Sequence, residues 1–318
     1  MDVRRWAMRA ATLVATVSML VGLTTACRVV RKIDTDPLEV TISAMPGVAK
    51  AWVSFDEDEL DSIATLNVQM PGADAGQISD VAQAVSSAHG DGSADYLKRL
   101  RLRIGDAPAV TALRDVTSLN AAVVVTDSTT LRSFAAVVAS TSPAAQIDWA
   151  TDNRLTVRQL TTPVPEVLQA LRDVGVTAST VHLLPVDSAA PSWRVTLPLS
   201  RDQEQRIHRQ IAAMPAQLVR IAVRDATITD LGVVVSRQAA HRALVDIISI
   251  VGAGPGHPLW LTWHLAPRDI TQQYDGSVHV GGCDYPDSRL EQQPENYLSA
   301  EEIELQDRLR AQFDTCPR

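Results

Sequence analysis

The chain has 318 residues, 29 Lys plus Arg against 37 Asp plus Glu, and a formal charge of −8 at pH 7. With 46% apolar and 21% charged residues it has the makeup of a folding chain, not of a disordered one. The acidic balance argues against general nucleic-acid binding.

Residues 1–27 read as a targeting segment. Arg4, Arg5 and Arg9 form a basic start, and residues 10–26 carry no charge. That uncharged run is shorter than the roughly 20 residues a spanning helix needs, and longer than the roughly 7–15 of a plain signal core. Thr24, Thr25 and Ala26 then precede Cys27. This arrangement resembles the lipobox signal of bacterial lipoproteins, and the Ala-rich, Arg-over-Lys usage gives it an actinobacterial character. The resemblance covers these 27 residues alone. It implies lipidation of Cys27 by diacylglycerol and palmitate-type chains, and anchorage to the outer face of the cytoplasmic membrane. An uncleaved N-terminal anchor is the alternative. Without residues 1–26 the chain keeps 26 of its 29 basic and 36 of its 37 acidic residues, a net charge of −10.

There are three cysteines, Cys27, Cys283 and Cys316. With Cys27 acylated, the other two remain as a pair. Outside the cytosol such a pair is most simply a disulfide. It would close a loop of about 34 residues, worth about 3–4 kcal/mol on the chain-entropy account. Two free buried thiols are the alternative.

Residues 28–35 read as a tether. Beyond them two strands and an amphipathic helix recur. Asp36-Pro37 starts the first helix, with Pro at a first helical position. Ile78, Val81, Ala82 and Val85 form a helical stripe, as do Leu131, Phe134, Ala135 and Val138, then Val164, Val167, Leu168 and Leu171, then Ile207, Ile211 and Met214. Ser200 with Gln203 and Ser299 with Glu302 are capping boxes. Strand pairs are expected at about 48–69, 99–126, 146–160, 181–199, 218–235 and 258–281. The second is stretched by residues 107–119, which suit an extra helix. A faint duplication places Ala44-Met45-Pro46 against Ala213-Met214-Pro215, and Asp80 against Asp246. The expected class is α+β: tandem ββα units forming ferredoxin-like antiparallel sheet and helix sandwiches. Three modules follow, 36–142, 143–214 and 215–318, with fusion into larger sheets as the alternative.

Several chemistries lack their motifs. The chain has no P-loop, no Ser-x-x-Lys, no G-x-S-x-G, no H-E-x-x-H and no C-x-x-C. The Gly-rich run Gly252 to Gly256 follows a helical pattern and precedes a strand, the reverse of a dinucleotide site. His257, His264 and His279 fall in the last hairpin, and Asp56, Asp58 and Asp61 in an acidic turn. They read as wet-face polar residues and a solvated loop, so no metal and no cofactor is expected. The tryptophans of the strands read mainly as core. The arginines stand out. Arg99, Arg101, Arg103, Arg154, Arg158, Arg194, Arg220 and Arg224 lie on expected strands, mostly on the non-core side. Arg99, Arg101, Arg103, Arg220 and Arg224 are therefore the candidate ligand-binding residues, because guanidinium forks suit phosphate and carboxylate. The competing reading pairs them with cross-strand carboxylates. The sequence thus points to a non-catalytic, membrane-anchored envelope lipoprotein binding a partner protein or an anionic envelope component. A self-associating envelope scaffold and an envelope hydrolase with an unrecognised site are the alternatives.

Overall fold

In the computed structural model, residues 35–56, 63–90, 92, 94–267, 273–283 and 285–314 are described. Cys27, Asp58, Asp61 and Cys316 lie outside them. The chain divides into 1–35 and the compact unit 36–318. That unit starts with helix α1 (Asp36–Ser43) and hairpin β1 (Lys50–Asp56) and β2 (Ile63–Gln69). Helix α2 (Ala75–Gly90) leads to β3 (Leu97–Asp106) and β4 (Ala109–Asp115). Helix α3 (Ala121–Ala139) leads to β5 (Gln146–Trp149) and β6 (Arg154–Leu160). Helix α4 (Val164–Val174) precedes β7 (Thr180–Pro185) and β8 (Ser192–Thr196), and α5 (Arg201–Ala212) precedes β9 (Gln217–Arg224) and β10 (Thr227–Ser236). Helix α6 (Ala240–Val251) precedes β11 (Leu259–Ala266) and β12 (Gly276–Val280). The short α7 (Arg289–Gln292) and α8 (Ala300–Phe313) close the chain.

The expected motifs form. The Ser200 and Ser299 boxes cap α5 and α8 from both sides. The stripes of α2 and α3 are buried. The duplicated tripeptides join α1 to β1 and α5 to β9, equivalent places four hairpins apart.

The class is a mixed α and β fold, but its sheet differs from the antiparallel modules expected. All twelve strands form one sheet in chain order, β1 to β12. Strands within a hairpin are antiparallel, whereas β2–β3, β4–β5, β6–β7, β8–β9 and β10–β11 are parallel. The cause is the connection. A helix that carries the chain back along the sheet delivers the next strand in the direction of the last one. The sheet also runs unbroken through 142/143 and 214/215, because β4 pairs with β5 and β8 with β9.

A second difference lies at 107–126. β3 and β4 turn back directly, without an extra helix, and residues 121–126 begin α3. Asn120 decides this. Its Oδ1 accepts from the N–H groups of Ala122 and Val123, so a Val-rich run starts as helix.

One continuous core joins the helices to alternate strand residues, from Leu66 and Val68 through Val181 and Leu183 to Leu261 and Trp263. Arg132 of α3 clamps the layers. Its Nε donates to the Ile104 carbonyl at 3.1 Å, its Nη2 to Met70 at 3.2 Å, and its Nη1 to Ala73. Burial lowers its pKa, opposed by Asp74. Arg132→Met leaves these carbonyls without their charged donor. We expect a loss of about 1.5–3 kcal/mol in urea unfolding, partly restored by Arg132→Lys.

Candidate anion-binding site

Strand alternation puts one set of side chains into the core and the other on the opposite face. On that open face most arginines find a carboxylate on a neighbouring strand or turn. Arg158 pairs with Asp148, Arg154 with Asp152 at 3.4 Å, and Arg103 with Asp106 at 3.3 Å. Arg220 grips Asp230 through Nε and Nη2 at 3.0–3.2 Å and lies 5.2 Å from the centre of the Trp260 ring. Its Nη2 also reaches Thr262 Oγ1.

The middle of the sheet is different. The register sets Arg154 of β6 beside Thr180 of β7, and Thr180 beside Thr196 of β8. One row over, Thr156, His182 and Arg194 stand side by side. Arg224 ends β9, one step beyond the last β8–β9 pair, Val195 with Val223. The three arginines thus surround two threonine hydroxyls and an imidazole across four strands, a width of about 14 Å. All three are exposed. The exposed Asp152 is, among the described residues, the one carboxylate paired with Arg154. Among the described residues, Arg194 and Arg224 have no carboxylate within ion-pair distance.

The imidazole reports this field. Burial lowers the His182 pKa, and the charges of Arg194 and Arg154 lower it further, against Asp152. Forked donors, rotatable hydroxyls and an imidazole that gains charge with a bound anion are the groups a phosphate or carboxylate needs.

The five candidate arginines do not meet. Arg99, Arg101 and Arg103 share β3, six strands from Arg220 and Arg224, roughly 29 Å away. Arg101 donates to Asn67 Oδ1 at 3.3 Å, and Arg99 stands across from Asp115. Of the five, Arg224 alone joins the central patch. Sequence reasoning had Arg154 and Arg194 on the right side of their strands. It missed His182, Thr180 and Thr196: the β7–β8 hairpin sets His182 beside Arg194 and Thr180 beside Thr196, and the parallel β6–β7 pairing adds Arg154.

The other candidates fall into structural roles. His264 is buried, 3.8 Å from Asp275, and His279 stands across from Trp260. Burial alone would raise the Asp275 pKa, but the nearby His264 ring and a hydrogen bond from the Leu265 N–H hold it low. No cluster of three metal-ligating side chains occurs among the described residues. Trp149, Trp193 and Trp263 are core, while Trp52 and Trp260 are half-exposed on the open face. On the helix side a groove of about 640 Å³ separates α4 from α5. The buried Glu204 spans it to Arg172 at 2.7 Å.

No protein family, curated protein or solved structure matches this chain.

Removing the charge beside His182 tests the geometry. In Arg194→Gln the imidazole pKa should rise toward its ordinary value, read by NMR titration. The sign for stability follows. A depressed histidine takes its proton in the unfolded chain first, so the native protein loses stability as pH falls through the range between the two values. Arg194→Gln should shrink that loss.

Proposed function

We propose that this protein is a non-catalytic binding protein of the cell envelope, anchored through Cys27. It holds an anionic, phosphate- or carboxylate-bearing component on the open face of its sheet. One observation carries the reading: among the described residues, Arg194 and Arg224 stand without carboxylate partners beside Thr180, Thr196 and His182, on a chain of net charge −8. A protein rich in carboxylates has ample means to neutralise its own arginines. Leaving these uncompensated costs self-repulsion that a bound anion would relieve.

The lipid anchor rests on the residues before Cys27, and it would set the sheet at the membrane. We also propose the Cys283–Cys316 disulfide. Val280, three residues before Cys283 in the sequence, forms an antiparallel β-bridge with Asp314, two residues before Cys316. The bridge would staple the C-terminal helix to the last strand.

Vesicles of phosphatidylglycerol, vesicles of phosphatidylcholine and inorganic phosphate serve as probes for residues 28–318. Preference for the anionic vesicles, weakened at least tenfold in Arg194→Gln/Arg224→Gln and falling with salt, is the expected result. Binding of free phosphate with the same sensitivity would place the site on a soluble anion. Equal binding by wild type and variant, or no binding of either anion, overturns the reading. For the anchor, Cys27→Ser should move the protein from the membrane fraction to the soluble fraction.

A further inference from the structure

The two ends of the sheet are finished differently. At β12 the outer edge is occupied. The Ser277 N–H donates to Gln306 Oε1 at 2.9 Å, and the Ser277 carbonyl accepts from Arg310 Nε at 3.0 Å. The His279 N–H donates to Tyr285 Oη at 2.8 Å, and Val280 bridges Asp314. Among the described residues β1 has fewer such partners, although α1 packs beside it. Its Val53 N–H donates to Glu39 Oε1 of α1 at 2.9 Å. In an antiparallel ladder the outward groups alternate, so Ala51, Val53 and Phe55 present theirs to the outer side. Phe55 keeps 42% of its surface exposed, a large apolar side chain on an edge strand.

We propose that β1 is the interface of a closed dimer, in which it pairs antiparallel with β1 of a second copy about a two-fold axis at Val53. Alternation, charge and side-chain size together select this register. The outward-facing residues must form the hydrogen-bonded pairs, and a centre at Val53 makes them Val53 with Val53 and Ala51 with Phe55. That register lays Phe55 beside the small Ala51 of the other chain, on the helix side. It sets Trp52 beside Ser54 on the open side. It also sets Lys50 opposite Asp56, positive to negative, once at each end of the strand. A centre at Trp52 or Ser54 would keep the ladder but separate Lys50 from Asp56 and Phe55 from Ala51, and a centre between two residues would set outward groups against inward ones and lose it. Because β12 is covered, the assembly ends at two copies and cannot grow into a fibre. Glu39 competes for the Val53 N–H and must swing aside. It therefore sets how readily the edge opens.

Sedimentation velocity and native mass spectrometry on residues 28–318, from 1 to 200 µM, test the proposal, with Cys27 removed throughout. A concentration-dependent monomer and dimer are expected, with no larger species. Lys50→Asp should weaken the dimer at least tenfold, and Lys50→Asp/Asp56→Lys should restore it. Glu39→Ala should tighten it several-fold. Val53→Cys should cross-link to itself on oxidation, since Cα atoms of a hydrogen-bonded pair lie about 5.5 Å apart, within disulfide reach. A wild-type monomer at 200 µM overturns the proposal. So does a dimer indifferent to Lys50→Asp and Glu39→Ala. The cross-link and the charge swap report the interface even if one variant folds poorly. Neither involves the arginine patch, so this result and anion binding fail independently.

Discussion

The architecture depends on one constraint, the return path between hairpins. Each helix carries the chain back over the sheet, so the next strand enters beside the last one and parallel to it. Repeated five times, this step lays twelve strands side by side in chain order. It puts α2 to α6 in one layer, and the opposite face meets α7 only at its β11–β12 end, where Leu290 packs in one cluster with Trp260. The chemistry of the open face is then forced. Its residues must meet water, pair with one another or hold something. The first need accounts for the polar alternation of the strands. The second accounts for Arg158 with Asp148 and Arg220 with Asp230. Arg194 and Arg224 meet water and, among the described residues, have no such carboxylate partner.

Local features were legible in the sequence because local physics decides them. Capping boxes at Ser200 and Ser299, the stripes at Ile78 and Leu131, and most hairpin limits depend on neighbours within a few residues. What lay beyond reach was pairing between distant segments. Period-two patterns show which side of a strand is wet, but not which strand lies beside it. The arginines of β3 and β9 therefore looked like one surface, whereas six strands separate them. The same blindness hid His182, whose setting comes from Arg154 and Arg194 on the two adjoining strands. At Ala121 to Thr126 the β-branched run suggested strand, and a single asparagine side chain before it turned the segment to helix.

Charge is distributed to match the layers. In the groove between α4 and α5, Glu204 is buried and held by Arg172, and α5 buries little else besides Ile207. Near β12 the Arg310 guanidinium meets Glu291, Ser277 and Tyr285. Desolvated charges such as these tolerate few alternative arrangements, because each loses water that only its own partner replaces. They fix the helix layer and the C-terminal helix in place. The arginines at the centre of the open face have no such obligation, and their side chains can turn toward whatever arrives.

Strictly sequential order has a mechanical consequence. Each hairpin touches mainly its neighbours in the chain, so the sheet behaves as a line of links and not as a knot of distant contacts. Tension applied at residue 36 would meet β1 first, at the end with the least cover. Its ladder to β2 would open bond by bond, like a zip, while the strands behind it stayed paired. The covered β12 end would be the last to yield. A chain tethered at its N-terminus would thus shed load gradually, one hairpin at a time, instead of failing all at once.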